Sequence, residues 1–400
     1  MKKSHYLTNP FCIYSISWLC VMVIYQLPWS TLFPLLSTEL LLFLIITCAI
    51  SGLVGIITTK LNLFKFKEIQ VDNQIIKYNK KLLEILYIGL IIEFITQRQI
   101  PILSYIFNIT GHQDYTEFGL PIIHTFIITG FMFVSGFAAH AHFSTKEKLY
   151  KKNLKIIMLG SILPGILIIN RAILMYSFFL WIILYMMSIN NVFKHIFKIF
   201  IIGLIILFSF GTLGNLRNGE TIELGKEYIM NVGQATPEFR QSIIPVEFFW
   251  IYLYISSPLS NLQYTIDKQK KDFDIENFVE YYIGALMPQM ISKRIGFEIP
   301  KGLLIRDNFN VGSVYYSAYA GFGWIGMMCT FIFMFFFIIL TLKLIGSQSP
   351  FYTTSIAIID TIIFFNIFDN MFIFMGLIPA LCYPIAYNMI FTYKKNINLK

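Results

Sequence analysis

The sequence predicts an all-α polytopic integral membrane protein with about ten transmembrane helices and one large outer loop holding short helices. Three observations predict it. The chain is 56% hydrophobic and only 13% charged, with a mean hydropathy of +0.66, against about 25% charged residues in an ordinary soluble domain. Apolar runs of roughly 17–25 residues recur along the whole length, as a bilayer core of about 30 Å requires of a helix. These runs do not alternate apolar and polar residues, as the strands of a transmembrane barrel would.

In chain order, spans are expected near 11–27, 35–57, 82–97, 120–142, 156–169, 172–189, 199–214, 314–342, 351–369 and 371–392. Lys2 and Lys3 precede the first run, but Phe11 to Leu27 carries Trp18, Tyr25 and Gln26 and no small-x-small site follows. It reads as an uncleaved first span. Residues 1–210 thus hold helices one to seven, 211–312 form the large loop, and 313–400 hold the last three helices. Within the loop, 247–262 and 278–291 are apolar and aromatic but short, and Pro258 and Pro288 interrupt them. They are expected to lie at the interface or re-enter; the alternative is that both span, which puts Asp267 to Glu276 in the cytoplasm.

Net charge +9 does not point to nucleic acid, because the positive residues sit in short links between spans, the pattern of topology control. Counting alternate links puts both termini in the cytoplasm and the large loop outside. Every basic residue assigned to the cytoplasm is a lysine, from Lys2 and Lys3 through Lys60, Lys81, Lys155 and Lys343 to Lys400. All the arginines, Arg98, Arg171, Arg217, Arg240, Arg294 and Arg306, fall on the outer side. A planar guanidinium matches phosphate oxygens bidentately where an ammonium is a point charge, so this segregation suggests an anionic ligand outside. Arg171 follows Asn170 in a tight turn between spans, and Arg217 follows a glycine-punctuated helix end, Gly211 and Gly214. The bland alternatives are a snorkelling turn residue and an interfacial anchor.

The five cysteines, Cys12, Cys20, Cys48, Cys329 and Cys382, lie inside apolar runs and form neither a disulfide framework nor a metal-ligand spacing. No Gly-rich phosphate loop or Cys/His cluster occurs, and no cofactor is expected.

Asn170-Arg171 in a short hairpin, Gly211-x-x-Gly214-x-x-Arg217, and Tyr252-Leu253-Tyr254 followed by Pro258-Leu259-x-Asn261-Leu262 together resemble the O-antigen polymerase (Wzy) group of oligosaccharide repeat-unit polymerases. Tyr115-x-Glu117-Phe118-Gly119-x-Pro121-x-x-His124 looks similar to that group's aromatic-Phe-Gly-x-Pro motif. The resemblance implies transfer of a growing glycan from undecaprenyl pyrophosphate onto a lipid-linked repeat unit, at the periplasmic face of a bacterial inner membrane. A chain-length regulator is an implied partner, besides the lipid-linked glycans and the bilayer.

On that reading Arg171 and Arg217, with Arg306 and Arg98, would hold the diphosphate, and Tyr115, Tyr252, Tyr254 and Asn261 the sugars. The candidates for the general base are Glu220, His124 and Asp114, beside Glu223 and Glu117. Metal-dependent membrane glycosyltransferases usually present paired acids in the first outer loop. Here that loop, Pro28 to Pro34, has none, so no metal is expected. The related ligases carry His-Asn-x-Tyr ahead of Gly-x-x-Gly; Tyr315, Gly323 and Gly326 fit that frame, but Gly312 and Ser313 replace the His and Asn. A flippase or transporter is the rival from another class, drawing on Glu93, Asp360 and Asp369 in or at the ends of spans.

Overall fold

The structure, a computed structural model, describes residues 5–107, 118–120, 122–218, 221–269, 274–286, 299–373 and 376–397; of Arg171 and Arg217 it describes the backbone. Among these residues there is no strand; one isolated antiparallel bridge joins Ser30 to Ala235.

Side chains placed for capping start the helices. Asn9 accepts from Phe11 N to open α1 (Pro10–Tyr25), and Ser37 accepts from Leu40 N to open α2 (Thr38–Lys60). Asp72 caps α3 (Asn73–Gln97), which Arg98 ends in the left-handed region at φ 51°. A short α4 (Pro101–Ile106) follows. Next come α5 (Ile123–Ser144), α6 (Lys148–Leu167) and α7 (Arg171–Ser188), the last capped by Asn170. Helix α8 (Ile196–Asn218) leads into α9 (Ile222–Val232), α10 (Pro237–Arg240), α11 (Glu247–Lys268) and α12 (Ile275–Leu286). The chain closes with α13 (Val314–Ile345), α14 (Tyr352–Phe365) and α15 (Pro379–Ile397).

Among the described residues, four stretches are long and apolar enough to cross a membrane: Thr38–Lys60, Ile123–Ser144, Phe193–Asn215 and Val314–Ile345. Shorter apolar helices cover Pro10–Tyr25, Ala172–Ser188 and Tyr352–Phe365. Helices α3 and α6 fall outside both groups because their N-terminal halves are charged (Lys77, Lys80, Lys81 and Glu84; Lys148, Lys151, Lys152 and Lys155). Burial orders them from centre to rim. In α5, 78% of the most apolar window is buried, against 6% in Phe193–Asn215, so α5 is the axis of the bundle and α8 stands at its edge.

Contacts define two ends. At one, His140 bridges the Lys67 carbonyl (2.8 Å) and Thr354 Oγ1 (3.1 Å), Thr353 Oγ1 accepts from Lys67 N, and His5 pairs with the Ile189 carbonyl. Lys67 Nζ also donates to the Ser347 carbonyl. The links rich in lysine meet here. At the opposite end α1 turns into α2, with Tyr25 Oη donating to the Pro34 carbonyl, and residues 299–373 tie α13 to α14 through Val314 N and the Asn366 carbonyl.

The stretch between α8 and α13 folds onto this second end. Phe249, Trp250, Tyr252 and Leu253 of α11 form a separate core with Ile229 of α9 and Phe239 of α10, sealed by Trp29 and Phe33 from the α1–α2 link. At about 1.5 Å per residue the 22 residues of α11 reach roughly 33 Å, enough to cross a bilayer, yet partners along its whole length belong to one end. Asn215 near the end of α8 meets Trp250 (2.7 Å), Leu27 meets Tyr252, Ser37 meets Gln263, and Phe309 and Val311 meet Asn261. These hydrogen-bond partners hold α11 to the loop end of the bundle.

Candidate functional site

The glycine pair in α8 makes room for a neighbouring helix. Helix α8 runs on past Gly211 and Gly214 to Asn218, and a Cβ at Gly211 would strike the backbone of Glu247. One at Gly214 would sit 2.8 Å from the Trp250 ring. Small residues let two helices approach closely, and here they seat α11. The junction is polar. Trp250 Nε1 donates to Asn215 Oδ1, Asn215 Nδ2 donates to buried Glu247 (3.3 Å), and Lys226 Nζ lies 3.8 Å from the same carboxylate. The hydrogen bond to Glu223 (3.0 Å), with the nearby Glu247, raises the pKa of Lys226 above its ordinary value.

Several expected ligand-binding side chains face inward. Tyr252 is 2% exposed and donates to the Leu27 carbonyl (3.0 Å), and burial pushes its hydroxyl up to about 12. Asn261 is fully buried; its amide nitrogen donates to the Phe309 (2.6 Å) and Val311 (2.9 Å) carbonyls, and its oxygen accepts from Ile305 N (3.0 Å). Tyr254 is half-buried between Phe210 and Trp250. Arg306 donates from Nη1 to the carbonyl of Val232, the last residue of α9 (3.0 Å), capping that helix end. Arg240 binds Asn231 (2.7 Å) and Glu227 (3.3 Å) in the same sub-structure. Arg98 is exposed at the end of α3. The backbones of Arg171 and Arg217 stand at the first turn of α7 and the last of α8, both at the loop end. Asp114, Tyr115, Glu117, Glu220 and Arg294 lie outside the described residues.

His124 is the candidate base that the structure surrounds with chemistry. It stands in the first turn of α5, its side chain 22% exposed, with Nδ1 2.8 Å from Oε2 of Glu93, which has no exposure at all. Oε1 of the same carboxylate accepts from Leu120 N (3.0 Å). An ionised carboxylate only accepts, so beside it Nδ1 is the donor; in the neutral imidazole the lone pair is then on Nε2, which has no partner among the described residues.

The approach is built by the backbone. Gly119 adopts φ +112°, and a Cβ there would run into the imidazole. Phe118 packs edge-on to the ring at 5.7 Å, and Gln97 Nε2 donates to the Gly119 carbonyl (3.4 Å). Phe118, Gly119 and His124 belong to one short sequence motif, whereas in the sequence Glu93 stands out only as an acid within a span.

A second polar turn follows α14. Asn366 accepts from Met371 N (3.0 Å), and Asn370 Nδ2 donates to Tyr281 of α12 (3.3 Å), whose hydroxyl burial pushes up to about 12. Asp369 stays exposed there, accepting only from Asn370 N (2.7 Å) among the described residues. The ligase-like frame is structural. Tyr315 is fully buried against the Tyr14 hydroxyl, and Gly323 breaks α13 at φ 60°, ψ −151°, a region for glycine alone. Among the described residues no group of three or more His, Cys, Asp or Glu is placed to hold a metal ion.

In comparison with known proteins, no family model, no curated protein and no solved structure matches this chain.

Proposed function

We propose that this chain is a membrane glycosyltransferase that polymerises undecaprenyl-pyrophosphate-linked oligosaccharide repeat units into O-antigen or a related surface polysaccharide. In this reading ten helices cross a bacterial inner membrane, both termini are cytoplasmic, and the stretch from 219 to 313 caps the periplasmic face. The observation that carries it is the division of basic residues between the two ends. Arg98, Arg171, Arg217, Arg240 and Arg306 stand at the end covered by α9 to α12, while the short links at the other end carry lysine alone.

A lipid diphosphate leaving group develops charge at the membrane surface, and guanidinium groups held there stabilise it without a metal. With Arg240 and Arg306 engaged in holding α9, Arg171 and Arg217 are the pair proposed for the diphosphate. The test is the surface polysaccharide ladder of a deletion strain complemented with wild type, Arg171→Ala or Arg217→Ala, with membrane levels matched. The reading expects single-repeat glycan on deletion and a ladder with wild type only. Loss of all surface glycan would point to a ligase or a flippase instead.

One observation favours a transport reading. Asp360 is fully buried in α14, and neither carboxylate oxygen has a partner among the described residues. Ionisable groups inside a span often mark a proton or substrate path. If lipid-linked repeat units accumulate on the cytoplasmic leaflet in the deletion strain, and in one carrying Asp360→Asn, transport replaces polymerisation.

A further inference from the structure

The geometry points to His124 as the general base that deprotonates the acceptor sugar hydroxyl, with Glu93 as its positioning residue; this rests on the glycosyltransferase reading above. Three features of the pair support it. Glu93 has no exposure and divides its two oxygens between Nδ1 of His124 (2.8 Å) and the backbone N–H of Leu120 (3.0 Å). The carboxylate therefore fixes both the tautomer and the ring plane, and stabilises the imidazolium when it forms.

Nε2 is left unpartnered among the described residues, on a side chain 22% exposed in the first turn of α5, at the end of the bundle where Arg98 ends α3. Fully buried His140, at the opposite end, has both nitrogens occupied, by Lys67 and Thr354, and has no lone pair to offer. Finally, the backbone bends to bring the ring in, freely at one glycine and with strain at one β-branched residue. Gly119 takes φ +112° against the imidazole, and the β-branched Ile122 takes φ +72° immediately before α5. Strained backbone of this kind persists where the surrounding structure over-determines it, and it clusters at functional sites.

The step balances as follows. Nε2 takes the proton of the acceptor hydroxyl while that oxygen bonds to the anomeric carbon of the donor glycan. The bond from that carbon to the diphosphate oxygen breaks, and its electron pair leaves on undecaprenyl diphosphate. The imidazolium, held by Glu93, then returns its proton to water. Arg98, exposed at the end of α3 just beyond Glu93, puts a positive charge on the same helix end.

The test uses the full chain in nanodiscs, with lipid-linked repeat units extracted from the deletion strain as substrate and released undecaprenyl diphosphate as readout. His124→Ala, His124→Gln and Glu93→Gln are each checked for a monodisperse, cooperatively melting protein. His124→Ala is expected to lower kcat about 10²–10⁴-fold with little change in KM. Added imidazole should restore part of that rate, and more basic imidazoles more of it. Glu93→Gln should lose less and show no response to imidazole. Should His124→Ala not fold, His124→Gln carries the kcat comparison. A folded His124 variant that keeps the wild-type rate, or a folded His124→Ala that loses it with no response to any imidazole, reduces the pair to a tie between α3 and α5. If the wild-type protein releases no undecaprenyl diphosphate and its deletion leaves the ladder intact, the parent reading falls and this assignment with it.

Discussion

Asn261 has no exposure, and its amide answers three backbone groups of one segment: the Phe309 and Val311 carbonyls and the Ile305 N–H. Leaving a buried backbone group unpaired costs about 1–3 kcal/mol, and some of the three will relax toward water. Asn261→Ala is therefore expected to lower stability by about 2–4 kcal/mol. It should also make the stretch from 299 to 313 the first site of protease cleavage; unchanged melting and cleavage would show that this stretch is held by other contacts. Gly119 is a sharper case, since at φ +112° any side chain is strained and a Cβ meets the His124 ring. Gly119→Ala should cost about 1–3 kcal/mol, read by thermal unfolding, and should reduce activity as His124 is pushed off Glu93. A wild-type melt with wild-type activity would mean the turn adapts. Part of this was legible in the sequence, because Phe118, Gly119 and His124 sit in one short motif. Glu93 was not, since it lies 31 positions earlier in an apolar run, and a period of 3.6 residues says which face an acid takes but not which helix it meets. Asn261 carries the opposite lesson: its motif marked an important residue, and burial makes the importance structural.

At the scale of elements, α11 was visible as two facts that seemed to conflict, an apolar aromatic run and a proline in its middle. The helix continues through Pro258 for 22 residues, because a missing N–H and a local clash cost less than the packing gained over its length by Phe249, Trp250, Leu253 and Leu259. The glycines of α8 were legible as a signal and not as a purpose. Gly211 meets backbone atoms of Glu247, Gly214 meets the Trp250 ring at 2.8 Å, and Gly203, on the same helix, meets nothing within 4 Å. The three give a graded prediction. Gly211→Leu should be the most damaging, because backbone cannot swing aside. Gly214→Leu should cost about 1–3 kcal/mol as Trp250 is displaced, and Gly203→Leu should be silent. Melting temperatures of the purified variants check the order; equal effects at Gly203 and Gly211 would mean α8 does not carry α11 through this contact.

Across the whole molecule, the confinement of the described arginines to one end is the feature that links sequence, fold and proposed function, and it also fixes what to measure. Alternation of the links predicts that every link at the His140–Lys67 end shares one compartment, and that the stretch from 219 to 313 shares the other. Helix α11 is long enough to cross, yet its hydrogen-bond partners Asn215, Leu27 and Ser37 sit at one end. Single cysteines placed in a chain with Cys12, Cys20, Cys48, Cys329 and Cys382 changed to serine answer both points. Ser242 and Asp274 are exposed on either side of α11, while Asn62, Glu147 and Gln348 are exposed in three links at the lysine end. With a membrane-impermeant maleimide that reaches only the outer face of the inner membrane, positions 242 and 274 should both be labelled. Positions 62, 147 and 348 should react only after permeabilisation. Labelling at 242 with protection at 274 would mean that α11 crosses the bilayer, which would carry Asp274 to the cytoplasm and break the ring of contacts from Asn215 to Val311. The inverse pattern throughout would turn the arginine-bearing end inward, away from the face where a periplasmic polymerase must act, and the reading of His124 as base to a periplasmic acceptor would go with it.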